Sequence, residues 1–109
     1  MALNAGFELK EFNAASLSGS YQNFGTVLLN PCYDAVISNE SDVGVYITID
    51  GTNNTFRLSP GQILPLKNYS LHFSNTQAAY LLKKGVQLQI KQVTAAGTGA
   101  IIANILTTR

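Results

Sequence analysis

The chain has 109 residues, of which 46% are hydrophobic and 12% are charged, and its net charge at pH 7 is +1. This length fits one domain, and the apolar share excludes a disordered chain, which would be poor in apolar residues and rich in charge. The near-neutral balance gives no electrostatic footprint for nucleic acid, whereas the low charge favours a subunit surface, since interface cores are depleted in charged residues.

The first twenty residues carry fewer strand signals than the rest, yet they retain several large apolar side chains. We predict an N-terminal arm or edge strand over residues 1–20 and a β-sandwich domain over residues 21–109. A solvated tail would not be expected to keep so many large apolar groups, so they are candidates for a subunit interface. The candidates are Leu3, Phe7, Leu9, Phe12 and Leu17.

A period of two residues dominates the middle of the chain. Alternate residues of VGVYITID, which begins at Val43, point the same way and should face the core. The turn-forming residues 39–42 precede this strand and suggest a hairpin with YDAVIS. The turn dipeptide Asp50-Gly51 follows it. Candidate loop contacts for a ligand lie here, at Tyr46, Asp50, Asn53 and Asn54.

Two later segments also read as strands. VQLQIKQ, from Val86, alternates apolar and polar residues, whereas residues 100–107 are apolar on both faces. A strand of the second kind is either central and covered, or its outer face meets a partner, so Ile102 and Leu106 join the interface candidates. We predict that the inward set of the two alternating strands is buried; it comprises Val45, Ile47, Ile49, Val86, Leu88 and Ile90.

Groups that could perform chemistry are scarce in this sequence. Cys32 and His72 are the sole residues of their kinds, which excludes an internal disulfide and a multi-cysteine zinc site. No HExxH, GxSxG, Walker A or GxGxxG pattern occurs. The acids near residues 40–50 lack the spacing of an EF-hand. We therefore expect no catalytic residues, no cofactor and no metal, and we predict that the protein is not an enzyme.

The fold class follows from the strand pattern. Many short strands separated by turn signals, with no helical stripe, predict an all-β protein with a single antiparallel β-sandwich or barrel-like domain. The apolar runs are too short for a membrane span. The opening MALNAGFELKEF lacks the basic and apolar regions of a signal peptide, so synthesis in the cytoplasm is expected.

One long stretch carries a family resemblance. SYQNFGTVLLNPCYDAVISNESDVGVYITIDGTNNTFRLSPGQILPL, with the later LLKKGVQLQIK and GTGAIIANIL, resembles small β-sandwich virion proteins of tailed bacteriophages. The resemblance implies a structural subunit that oligomerises and bridges its neighbours, at the head–tail connector or neck of the virion, after synthesis in the host cytoplasm. The partners it implies are copies of itself and portal, capsid or tail components, with no specific nucleic acid and no membrane. Two alternatives stay open: a capsid decoration protein and a carbohydrate-binding β-sandwich module.

Overall fold

The structure, a computed structural model, describes residues 5–49, 55–65, 82 and 84–108. The predictions made for Leu3, Asp50, Asn53, Asn54 and His72 lie outside these residues. The described strands are β1 (Ala5–Asn13), β2 (Gln22–Asn23), β3 (Cys32–Ser41), β4 (Val45–Thr48), β5 (Thr55–Leu58), β6 (Ile63–Pro65), β7 (Gln89–Gln92) and β8 (Gly99–Thr108). In this part of the chain the one helical element is a 3₁₀ turn, Ala14–Ser16, whose start is capped by the side chain of Asn13.

The eight strands form two antiparallel four-stranded sheets. Sheet I has the order β1-β8-β3-β6, and sheet II has the order β2-β7-β4-β5. Successive strands therefore alternate between the sheets, except for β4 and β5, which pair directly with each other. This is the strand order of a jelly roll, in which two Greek keys build a double sheet. The predicted all-β, antiparallel sandwich is confirmed.

The hydrophobic core lies between the two sheets. Of the six residues predicted to be buried, five are, and the sixth, Val86, is partly buried and packs against them. The inward face of sheet I supplies Ala35, Ile37, Ile101, Ala103 and Ile105 to the same core. The period-of-two pattern thus identified the correct face of the two alternating strands, because side chains alternate between the two faces.

The hairpin predicted around residues 39–42 is wrong. β3 continues to Ser41 and pairs with β8 and β6, whereas β4 belongs to sheet II. The reason is that Asn39 is buried inside the domain rather than exposed in a turn. Its amide donates to the carbonyls of Val43 at 2.8 Å and Leu58 at 3.1 Å, and its oxygen accepts from the backbone N–H of Ser41. Asn39 therefore ties together the corner at which the chain crosses between sheets.

Candidate functional site

The outer face of sheet I gathers four of the predicted interface residues. Phe7 in β1 lies opposite Leu106 in β8, and Leu9 lies one row further along the same face. Ile102, the fourth, lies opposite Glu11 in the next row. Directly opposite residues of antiparallel strands project to the same side of the sheet, so these four side chains share one surface although they come from opposite ends of the chain.

We call this surface the apolar face, and it comprises Phe7, Leu9, Val36, Ile63, Ile102 and Leu106. Its outer members are strongly exposed: Phe7 by 82%, Leu9 by 62% and Ile63 by 60%. A surface depression of about 170 Å³ lies among Phe7, Val36 and Leu106, with Asp34 and Asn104 also in its lining. Asn104 and Ser38 lie between these apolar residues on the same face. Large apolar side chains grouped on one surface mark an interaction site, whereas single exposed apolar residues need no explanation.

Two predicted interface residues lie inside the domain instead. Leu17 is buried in the core. Phe12 projects from the inner side of β1 and meets Phe24 edge to face, with ring centroids 6.3 Å apart. Both side chains therefore stabilise this domain and are not part of the apolar face. The N-terminal segment is an edge strand of its own sheet, because Ala5–Asn13 pair with β8 along their whole length.

The inner side of β1 carries charged residues. Lys10 Nζ lies 3.1 Å from Glu8 Oε1, and both side chains are more than 90% buried. Lys10 also donates to Thr26 Oγ1 at 3.0 Å, while Glu8 Oε2 accepts the backbone N–H groups of Leu29 and Asn30. Charges that point inward from an edge strand discourage pairing with another sheet edge. β1 thus buries the charges of Glu8 and Lys10 and presents Phe7 and Leu9 to solvent.

The loop above this ion pair depends on a glycine. Gly25 has a φ of +78°, which L side chains rarely adopt. A Cβ placed there would also lie 2.6 Å from Cδ of Lys10. The loop that carries Thr26 therefore passes directly over the aliphatic stem of Lys10, and no larger residue fits without displacing it.

Acidic groups flank the apolar face. Glu11, Asp34 and Glu40 all project from the outer side of sheet I, in the same rows as Ile102, Leu106 and Ala100 respectively. Among the residues that the structure describes, no Lys or Arg side chain projects from this side of sheet I. The outer surface of sheet I is therefore apolar with negative charge beside it.

The outer side of sheet II has the opposite character. Tyr46 in β4 lies opposite Lys91 in β7 and Arg57 in β5. The ammonium of Lys91 lies 4.8 Å from the ring centroid of Tyr21 and 5.6 Å from that of Tyr46, within reach of cation–π attraction. We call Tyr21, Lys91, Tyr46 and Arg57 the aromatic–basic row. Within the described part of sheet II, no carboxylate projects from this side.

Of the four candidate loop contacts, Tyr46 alone falls within the described residues. Tyr46 lies within a strand rather than in a loop, and its three companions fall outside the described residues. Sequence reasoning missed the aromatic–basic row because its members lie far apart in the chain. The available signal was the alternation itself, which already placed Tyr46 and Lys91 on the outward sides of their strands.

Potentially reactive groups elsewhere are held in structural roles. Burial raises the pKa of the Cys32 thiol to about 11, so this thiol stays protonated at neutral pH and is a poor nucleophile. Hydrogen bonds from the backbone and hydroxyl of Thr98 lower the pKa of Asp42 and clasp two turns together. Over the described ranges, no three His, Cys, Asp or Glu side chains are grouped so as to hold a metal ion.

No family model and no curated protein matches the chain. A solved structure of Bacillus endospore appendages, described as disulfide-linked pili, is 13% identical with a TM-score of 0.49, over 95% of this chain and 86% of that one. A protein of unknown function from Streptococcus pyogenes is 16% identical with a TM-score of 0.41, over 100% of this chain and 68% of that one. The cupin domain of Schizosaccharomyces pombe Cnp3 is 12% identical with a TM-score of 0.39, over 97% of this chain and 54% of that one.

None of these three descriptions names a virion protein, and all three TM-scores are below 0.5, so the likenesses carry no argument about function. Of the residues that the structure describes, none lies in a helix long and apolar enough to cross a bilayer.

Proposed function

We propose that this protein is a non-enzymatic structural subunit that assembles with copies of itself through the apolar face. The observation that carries the proposal is the position of Phe7 and Leu9, which extend the apolar surface of Ile102 and Leu106 into solvent on one face of sheet I. Burying a large apolar side chain contributes about 1.5–3 kcal/mol. Several such side chains on one sheet face therefore supply a substantial driving force for association.

We further propose that this subunit is part of a tailed-bacteriophage virion and that it lies at the head–tail connector or neck. The resemblance of roughly residues 20–107 to phage virion proteins motivates it. The jelly-roll strand order agrees with it, since that fold recurs in viral capsid domains, although it also serves lectins and cupins. A capsid decoration protein would use the same apolar face. No observation favours the carbohydrate-binding alternative.

Incorporation into particles tests this function. Particles would be produced with the wild-type chain, with Leu9→Ser, or with Leu29→Ser as a matched control. Leu29 is exposed by 62%, as Leu9 is, but it belongs to the loop that bonds to Glu8 on the inner side of β1, whereas Leu9 projects from the outer side. Mass spectrometry of purified particles should find the wild-type chain and the control at equal copy number, and Leu9→Ser strongly reduced. Absence of the wild-type chain from purified particles would refute the virion role, and normal incorporation of Leu9→Ser would refute the role of the apolar face.

A further inference from the structure

We infer that the copies associate head to tail, with the apolar face of one subunit seated on the aromatic–basic row of the next. This inference rests on the proposed function, because it names the surface that covers the apolar face. The two surfaces lie on opposite sheets of the sandwich, so neither can cover the other within one chain. Each subunit therefore presents one copy of both halves of the contact.

Charge decides between this arrangement and a symmetric one. In a two-fold contact of one apolar face with another, the same patch meets itself. Glu11, Asp34 and Glu40 of one copy would then approach the same three carboxylates of its partner, and like charges brought together across an interface oppose association. Against the outer side of sheet II, the same carboxylates approach Lys91 and Arg57 instead.

The chemistry of the row suits an apolar partner. Tyr and Arg are enriched at protein interfaces, whereas Lys is depleted. Here the ammonium of Lys91 lies close to the rings of Tyr21 and Tyr46. The row thus combines two partly exposed amphipathic rings with the cations of Lys91 and Arg57, which matches a surface that combines Phe7 and Leu9 with nearby carboxylates.

A head-to-tail contact determines what kind of assembly forms. Because the two halves of the interface differ, each bound copy leaves one free half at either end of the complex. Such a contact closes into a ring when the rotation between neighbours allows it, and otherwise propagates as a filament. A two-fold contact would stop at the dimer.

Cross-linking from the two outer surfaces tests the inference. Asn104→Cys places a thiol at the centre of the apolar face, and Asn23→Cys places one on the outer side of sheet II, beside the aromatic–basic row; both positions are exposed and neither is charged. The two variants, distinguished by a size tag, would be mixed and treated with a short bismaleimide. The native Cys32 can remain, because it is buried and its pKa is about 11; wild-type protein treated alone is the control for this.

The expected result is an excess of the mixed product, Asn104→Cys joined to Asn23→Cys, of about tenfold or more over either product of two identical chains. Tenfold corresponds to a preference of about 1.4 kcal/mol. The excess should fall in high salt and with Lys91→Glu, and should recover when Glu11→Lys is introduced in the Asn104→Cys chain.

Two other outcomes would overturn the inference and are distinguishable. Predominance of the Asn104→Cys homodimer would show a symmetric contact, which leaves the proposed self-association intact. A random mixture of products would contradict both the head-to-tail contact and the proposed self-association.

Discussion

The buried ion pair between Glu8 and Lys10 predicts that removing one charge destabilises the protein more than removing both. Lys10→Met leaves Glu8 buried with two backbone donors but without its cation, and Glu8→Gln leaves Lys10 buried without its anion. Breaking a buried pair by removing one partner costs about 3–5 kcal/mol, since an uncompensated charge remains. Each single variant should therefore lose about 3 kcal/mol or more of unfolding free energy.

The double variant should behave differently. In Glu8→Gln with Lys10→Met, the Gln side-chain oxygen can still accept the N–H groups of Leu29 and Asn30, and the Met side chain fills the space of the lysine stem. Replacing both charges also removes the desolvation cost that burial imposed on them. We expect the double variant to lie within about 1 kcal/mol of wild type and so to be more stable than either single variant.

Urea denaturation of the four proteins, followed by circular dichroism, measures this cycle. Glu11→Gln, on the exposed side of the same strand, is the control and should change stability by no more than about 0.5 kcal/mol. Additive effects, with the double variant as unstable as the sum of the singles, would refute the pairing, because contacting residues couple and independent ones do not.

Three further predictions concern the core, the crossing corner and pH. Ile47→Ala should lose about 2–5 kcal/mol of unfolding free energy in urea titrations, because Ile47 is fully buried; a loss below about 0.5 kcal/mol would contradict the assigned face. Asn39→Ala should cost about 2–6 kcal/mol by the same measurement, since it leaves the Leu58 carbonyl and the Ser41 N–H without their partner at about 1–3 kcal/mol each, while the exposed Asn104→Ala should be nearly neutral. In the folded protein the pKa of the Asp42 carboxyl is lowered from 3.8. The ionised carboxylate therefore contributes to the free energy of unfolding above that pH, and this contribution is lost as the pH falls through the pKa of the folded protein. Urea midpoints measured from pH 5 down to pH 2 should accordingly fall more steeply for wild type than for Asp42→Asn, and parallel curves would contradict the Thr98 clasp.

The strands and their buried faces could be predicted from the sequence, because side chains along a strand alternate between the two faces of its sheet. Alternation along β4 and along the segment that contains β7 identified the inward residues, and Ile102 and Leu106 of β8, the interface candidates, lie on the outward side. The pairing of strands could not be predicted in the same way. Asn39 looks like a turn former, and only the carbonyls of Val43 and Leu58, which lie later in the chain, make its burial favourable.

In the candidate site, too, alternation could be predicted from the sequence, but contacts with residues distant in the chain could not. Alternation in FELKEF separates Phe7 and Leu9 from Glu8 and Lys10, but it does not say which set faces the core. The ordinary expectation puts the apolar set inside, and β1 does the reverse, because Thr26 and the N–H groups of residues 29 and 30 satisfy the charges from above. A loop some twenty residues away in sequence thus decides which side of β1 is exposed.

Sedimentation velocity over a wide range of protein concentration tests the central claim most directly, that copies of this chain associate through the apolar face. Leu9→Ser removes one strongly exposed apolar side chain from that face, and Leu29→Ser removes an equally exposed one elsewhere. We expect wild type and Leu29→Ser to associate alike, and Leu9→Ser to associate at least about tenfold more weakly, the factor that a loss of about 1.4 kcal/mol produces. A wild-type protein that stays monomeric at every concentration, or a Leu9→Ser variant that associates as wild type does, would contradict the claim.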